Sequence, residues 1–600
     1  MGRRTQRLAL AAAALALLLA STVHAQPPVW VDPVEDLRNA LPIRLEELNN
    51  PPDIVIQFRR DNLAKKVANL KNIGELRRAL ALDEWKIDAQ RISNDRVRKI
   101  DLEMRQRVGE RLVSAIRAAV KSSDANTRLS IANLIAEMGP TIPALDPLDR
   151  FGFSRGLTTE VVQLSQDPDL GVRQEAIRAL GNINPDPQIA VKAIMSVFEN
   201  DAAVGPRRLA ADSLGQMIRV IAHLQKRGRT AVGVEATRED VVLVSREIFL
   251  GAAPGARDAD AEVRSLSLAA VQIASQTLAD NVPDPYLRRD FPPEGRKLTE
   301  GERKDIFARY AEVRANAESV RPMFLALKQT MPNIGKLVED PEPRVRLMAI
   351  QTLENIGNAR NRLKRRLGSL PVIEPEDGGA KFDPVALLRE LDPLEAFLKS
   401  ELQAVPKLLG ESDIRTRRGV VEFMQTLEGD ALPIARALET ALSDSDRIVR
   451  AEAAKAAGLL PAPKAEFLVP ALGRLLLDSD LQVRTLAAGS LEAMGPYAKE
   501  AVPAMAQALG RGDVDGQLAV MFALSRVPPD VAKTAVPHLA ALLNNNDPRL
   551  LRAAAESLGR IGPPAQLAIP GLRRLLGNEE ADVRIAASEA ILSINSTPAP

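Results

Sequence analysis

Apolar residues in the C-terminal third return at fixed distances within a unit of 33 or 34 residues. With one position of the unit taken as an anchor, Arg417, Arg450, Arg484, Gln517, Leu551 and Arg584 fall in register. Looser copies place Arg128, Arg173, Arg207, Arg264 and Arg346 at the same point, at uneven spacings. Seven residues past the anchor stand Ile135, Leu180, Leu214, Val271, Leu353, Met424, Ala457, Leu491, Leu524, Leu558 and Ile591, all apolar. Ten residues past it the chain is apolar again, from Met138 and Ile183 through to Ile561 and Ile594. Such offsets lie along one face of an α-helix. A fixed period of this length predicts a solenoid, whose units bury their apolar faces only against their neighbours. The expected fold is all-α, a superhelix of about eleven helix pairs.

The punctuation of the unit predicts the two helices. Pro470, Pro503, Pro537 and Pro570 each follow a Val or Ile and open a short apolar segment. Proline is tolerated at a helix start because the first amides have no partner there. Asp413, Asp446, Asp480, Asp513 and Asp547 stand four residues before the anchor. A carboxylate there caps the second helix and meets the positive end of its dipole. Gly139-Pro140, Gly181, Gly357, Gly495-Pro496 and Gly562-Pro563 follow the apolar pattern and read as helix ends.

The run Asp480-Leu481-Gln482-Val483-Arg484, preceded by Val469-Pro470-Ala471-Leu472 and followed by Leu491, Met494 and Gly495, resembles HEAT repeats. It is most similar to the short bacterial kind of the phycobilisome lyases. The resemblance runs from about Val113 to Ile594 and is strongest from Asp413 onward. It implies a right-handed superhelix whose second helices line a concave face and hold other macromolecules. Deoxyhypusine hydroxylase shares the repeat and binds iron through repeated His-Glu pairs, and this chain has none. The lyases act on a chromophore, and nothing in the sequence specifies a pocket for one.

Arg3, Arg4 and Arg7 precede an unbroken apolar run from Leu8 to Ala20, and Val23-His24-Ala25 places small residues before Gln26. This is the layout of a secretory signal peptide cut between Ala25 and Gln26, and the run is too short for a membrane span of about 20 residues. The protein is expected to be exported, periplasmic or extracellular, with no integral membrane segment in the mature chain. Of 80 basic and 78 acidic residues, three Arg and no acid lie in this segment, so the mature chain is close to neutral. That balance offers no electrostatic case for nucleic acid. Residues 26–110 lack the repeat, carry the stripe Leu63, Val67, Leu70, Ile73 and Leu76, and are expected to form a helical module capping the first repeat. Residues 111–357 then read as degenerate repeats with insertions, 358–400 as an insertion or linker, 401–595 as regular repeats and 596–600 as a flexible tail.

Cysteine is absent and His24, His223 and His538 are the only histidines, which excludes disulfides, thiolate catalysis and Cys-ligated zinc. No nucleotide-binding, nucleophile-elbow or H-E-x-x-H motif occurs. No catalytic residue, cofactor or metal is expected. The anchor arginines are expected to pair with turn aspartates in a ladder rather than to form a polyanion track, because Arg suits bidentate carboxylate pairing. Arg360, Arg362 and Lys364 fall in the expected insertion and read as a solvated cluster, a candidate contact for anions. The Gln517 repeat brings Met521 and Phe522 together on its second helix, a candidate apolar contact patch or else core. The expected function is a non-catalytic scaffold that binds an unidentified protein partner. The alternatives are a lyase-type enzyme acting through dispersed Asp and Arg, and a structural protein of the cell envelope.

Overall fold

The structure, a computed structural model, describes residues 31–44, 51–82, 95–137, 156–183, 185–227, 236–281, 299–367, 383–511 and 513–596. Ala25, Gln26 and the Gly139-Pro140 break lie outside these residues. Every regular element among the described residues is a helix. Eleven helices carry the eleven anchor positions: Ala125–Glu137, Leu170–Asn182, Val204–Arg227, Ala261–Asn281, Pro343–Leu367, Ile414–Leu427, Arg447–Gly458, Leu481–Met494, Val514–Leu524, Pro548–Ile561 and Ala581–Asn595. Each of these anchor helices packs on the next, forming one continuous layer. The leading helices stack into a second layer, as when Pro187–Asn200 meets Arg238–Gly255 and Val469–Leu475 meets Val502–Leu509.

The core lies between the layers, where the periodicity places it. At seven past the anchor, Ile135, Leu180, Leu353, Leu491 and Leu558 are fully buried. At ten past, Ile183, Met217, Ala274, Ile356 and Leu427 are buried as completely. The two helical registers thus supply the hydrophobic driving force, and small residues let the helices approach. The caps form as expected. Asp413, Asp446, Asp480, Asp513 and Asp547 each accept a backbone N–H of the first turn that follows. The prolines of the leading helices stand in their first turns.

Three expectations are corrected. Gly181 and Gly357 do not end helices; they lie within Leu170–Asn182 and Pro343–Leu367. They are points of close approach: a Cβ on Gly181 would meet Ser213, and one on Gly357 would meet Thr426, so only hydrogen fits. The extra residues of the middle repeats lengthen helices as well as loops, giving Glu300–Lys336 its 37 residues and Pro343–Leu367 its 25. The boundary placed at residue 357 therefore falls inside a helix. The boundary at 110 does too, because Asp95–Val120 runs through it and its far end leads the first repeat. The stripe from Leu63 to Leu76 is two helices, Asp53–Asn69 and Ile73–Leu80. Asn72 and Glu75 form a reciprocal capping box that starts the second one. Arg59 and Asp101, both buried, pair at 2.9 Å and fasten the module to Asp95–Val120.

Gly495 and Gly562 do terminate helices, with φ of 56° and 70°. Glu428 holds the same place in its repeat at φ 51°. A side chain is strained in that region by about 1–2 kcal/mol and glycine is not. Glu428→Gly is therefore expected to stabilise the protein by about 1 kcal/mol, read from the urea midpoint. A lowered midpoint would show that the Glu428 side chain contributes more than its backbone strain removes.

Candidate interaction face

The anchor arginines organise the stack before any surface is formed. Each but Arg584 reaches the next repeat's acidic turn, and its planar guanidinium can serve two directions at once. In Arg450, Nη1 donates to the carbonyls of Asp444 and Ser445 in its own turn at 2.8 and 3.0 Å. Nε and Nη2 donate to Asp478 of the following repeat at 2.7 and 3.0 Å. The same rung recurs as Arg128 with Asp167, Arg173 with Asp201, Arg207 with Asp258 and Arg264 with Asp340. It continues as Arg346 with Glu411, Arg417 with Asp444 and Arg484 with Asp513. Burial works against the charge of Asp444 and Asp478, yet Arg417 and Arg450 outweigh it and hold both carboxyls below the usual range.

The receiving acid stands six residues before its own anchor, except that Arg484 takes Asp513, four before Gln517, because position 511 is an arginine. Its Oδ1 also accepts the amide two residues on, as Asp478 does from Asp480 at 2.9 Å. Where that acid becomes Asn545 or Asn578, the preceding anchor is Gln517 or Leu551 rather than Arg. Asparagine keeps the turn bond, to Asp547 at 2.8 Å and to Glu580 at 3.0 Å, and loses the charge an arginine would need. Arg584 binds only the carbonyls of Asn578 and Glu579 among the described residues. Most of the guanidinium edges are thus engaged inside the stack. Arg450→Ala is expected to cost about 1–3 kcal/mol, the range for stranding a charge-assisted partner, and Arg584→Ala clearly less. Equal losses in urea unfolding would show that the inter-repeat rung contributes nothing.

The basic cluster at residues 360–364 is not a solvated insertion. Arg360 sits in the helix Pro343–Leu367 and is 4% exposed. Its Nε and Nη2 bind Asp392 at 2.7 to 2.9 Å, and Nη1 lies 2.8 Å from Asp430. Burial works against this charge, but the two aspartates outweigh it and hold the guanidinium above its usual value. Lys364 reaches Asp430 at 3.3 Å and is half-buried, as is Arg362, for which no described residue supplies a polar partner. The expectation of an anion contact fails for Arg360 because tertiary folding brings both acids to it.

Met521 and Phe522 part company. Met521 is 2% exposed and packs in the core, whereas Phe522 is 54% exposed. Phe522 stands five past its anchor, in register with Glu422, Lys455, Gly489, Glu556 and Glu589 of the neighbouring repeats. Apart from the half-buried Glu422, these positions form an exposed stripe along the anchor helices, charged or glycine except at Phe522. Gly489, one repeat before it, is itself exposed and has open space where a side chain would be. Further along the layer, Glu354 and Glu422 are half-buried. Burial pushes both carboxyls up, and the charge of Glu422 adds to the effect on Glu354 and that of Glu452 to the effect on Glu422. His223 and His538 are both exposed. No group of three or more potential ligands that could hold a metal occurs among the described residues.

The family model for HEAT repeats matches residues 434–525 and again 502–593. Residues 434–593 are thus similar to HEAT repeats. No curated protein matches the chain. Among solved structures, an engineered protein is similar at 16% identity, over 45% of this chain and 99% of that one, with a TM-score of 0.25, which supports no statement about this chain. No described helix is long and apolar enough to cross a membrane.

Within and beyond the matched HEAT repeats, two features escape a reading of the sequence. One is the Glu354 and Glu422 pair, whose members lie in different repeats, eight and five residues past their anchors. The other is the fit of small residues across repeats, where Gly458 admits Ser490 and the Ser490 hydroxyl donates to the Ala454 carbonyl at 2.6 Å. A serine six past the anchor facing a glycine eight past the previous one is the sequence signal for it, visible again at Ser213 and Gly181.

Proposed function

We propose that this chain is an exported, non-catalytic HEAT-repeat scaffold that holds a polypeptide partner on the exposed stripe of its anchor helices. The observation that carries the reading is Phe522. A ring left more than half exposed at a position where neighbouring repeats present charge or glycine is a candidate binding anchor, since aromatic residues dominate interface energies. Solenoids offer extended surfaces on which such anchors act together. Export follows from the layout of residues 1–25 and places the mature N-terminus at Gln26, which N-terminal sequencing of the exported fraction checks.

A photo-crosslinking residue placed at position 522 is expected to capture one discrete polypeptide in the exported fraction. The same residue at Gln507, exposed on a leading helix, is expected to capture none. Equal labelling at both positions, or none at 522, would remove the scaffold reading. The lyase-type alternative is favoured only by the raised carboxyls of Glu354 and Glu422, and Glu422→Gln separates the two, because it leaves partner capture intact and abolishes any turnover that uses that proton.

A further inference from the structure

The HEAT repeat that carries Gln517 has a short anchor helix. Val514–Leu524 spans 11 residues, against 14 for Leu481–Met494 and 14 for Pro548–Ile561. The chain turns off through Ser525, Arg526 and Val527 into Pro528-Pro529, since a proline supplies no amide and disfavours helix in the residue before it. The early turn leaves a cleft of about 200 Å³ against the end of Pro548–Ile561. Sites for whole small molecules occupy about 300–1,000 Å³, so this one has room for a single side chain.

The lining sorts into two chemistries. Val527, Ala532 and Ile561 supply apolar wall, and Ser557 and Arg560 supply donors. Ser557 is 6% exposed. At the same repeat position Ser213 and Ser490 donate to carbonyls of the preceding anchor helix at 2.9 and 2.6 Å. Ser557 makes no such bond to any described residue, so its hydroxyl is left open to the cleft. Arg560, on the last turn of the same helix, is exposed and likewise has no described partner. No acid lines the cleft. Ser525, on its rim, is one helical turn beyond Phe522 on the exposed stripe, and its hydroxyl already donates to the Phe522 carbonyl at 2.7 Å.

One apolar side chain beside two convergent donors is the complement of a chain terminus. We propose that this cleft takes the apolar C-terminal residue of the partner polypeptide. Its side chain lies between Val527, Ala532 and Ile561, its carboxylate on Ser557 Oγ and the Arg560 guanidinium, and the preceding residues on Phe522. The inference rests on the scaffold reading and specifies what part of the partner is held.

The test is titration calorimetry on the exported chain with two probes, acetyl-Gly-Gly-Ala-Leu as the free acid and the same peptide as the C-terminal amide. The acid is expected to bind at least about ten-fold more tightly, the discrimination one charge-assisted contact supplies. Arg560→Gln is expected to erase the difference, Ser557→Ala to weaken the acid alone, and Ala532→Trp to fill the cleft and abolish binding of both. Melting curves matching the parent show that each variant folds, and Ser557→Ala keeps the test decisive where Ala532→Trp does not. Equal binding of acid and amide, no binding of either, or a difference that survives Arg560→Gln would overturn the proposal. So would equal binding of an amidated peptide with an internal Leu-Asp pair, which would move the carboxylate from the terminus to a side chain. If crosslinking at position 522 persists while the peptides fail, the scaffold reading stands and only the cleft assignment falls.

Discussion

Replacing Arg360 with alanine is expected to destabilise the protein by about 3–5 kcal/mol, the cost of removing one partner from a buried ion pair. The guanidinium bridges the turn at Asp392 and the segment at Asp430, and the side chains of Arg360 and Asp392 are only 5% and 15% exposed. Deleting the cation leaves Asp392 charged, shielded from water and without its three short contacts. Arg362→Ala, two residues along the same helix, is expected to stay within about 0.5 kcal/mol, as substitutions without buried partners do. Urea unfolding of both variants, with Asp392→Asn as a third arm, checks the account. A loss at Arg360 no larger than at Arg362 would show that the pair's desolvation cancels its attraction and that the clasp is structurally idle.

The second large effect is expected at Gly357. A Cβ there would stand 1.9 Å from Thr426 Oγ1 and 2.6 Å from Thr426 Cβ, closer than atoms can pack. Thr426 cannot easily yield, because its hydroxyl donates to the Phe423 carbonyl at 2.7 Å and its own carbonyl accepts from Asn361 at 2.8 Å. Gly357→Ala is therefore expected to cost about 1–3 kcal/mol through overpacking, although alanine is the better helix former. Thr426→Ala in the same chain removes the oxygen but not the Cβ, so it is expected to restore part of the loss. The double-mutant cycle measures the coupling. A stabilised Gly357→Ala variant would mean that the two helices sit farther apart than described.

The two experiments probe the same junction from opposite sides, charge at Arg360 and shape at Gly357. Both residues lie on Pro343–Leu367, and both reach the segment around 426–430. That junction joins the long, uneven repeats to the regular ones, so a lesion there is expected to separate their unfolding, since solenoid stability is a sum of nearest-neighbour terms.

What the sequence determined by itself is local in origin. The 33- to 34-residue period, the helix pair, the aspartate caps and the buried sites seven and ten past the anchor all follow from residues within a few turns of one another, where helical geometry is the only unknown. The structural role of the anchor arginines was legible because arginine and aspartate recur together. Which acid each one takes was not, since Arg417 reaches across 27 residues to Asp444 and Arg264 across 76 to Asp340. The same holds for Arg360, read as solvated because Asp392 stands 32 residues away in an apparent insertion. Met521 and Phe522 look like one patch in the chain, yet neighbours on a helix point about 100° apart, and stacking buried one and left the other in water. The glycines at 181 and 357 carried the composition of helix ends and became points of contact, because the next helix arrives where their side chains would have been. Only the tertiary structure decided these, for burial and pairing depend on which distant surfaces meet, and in a solenoid of uneven repeats that distance along the chain is not constant.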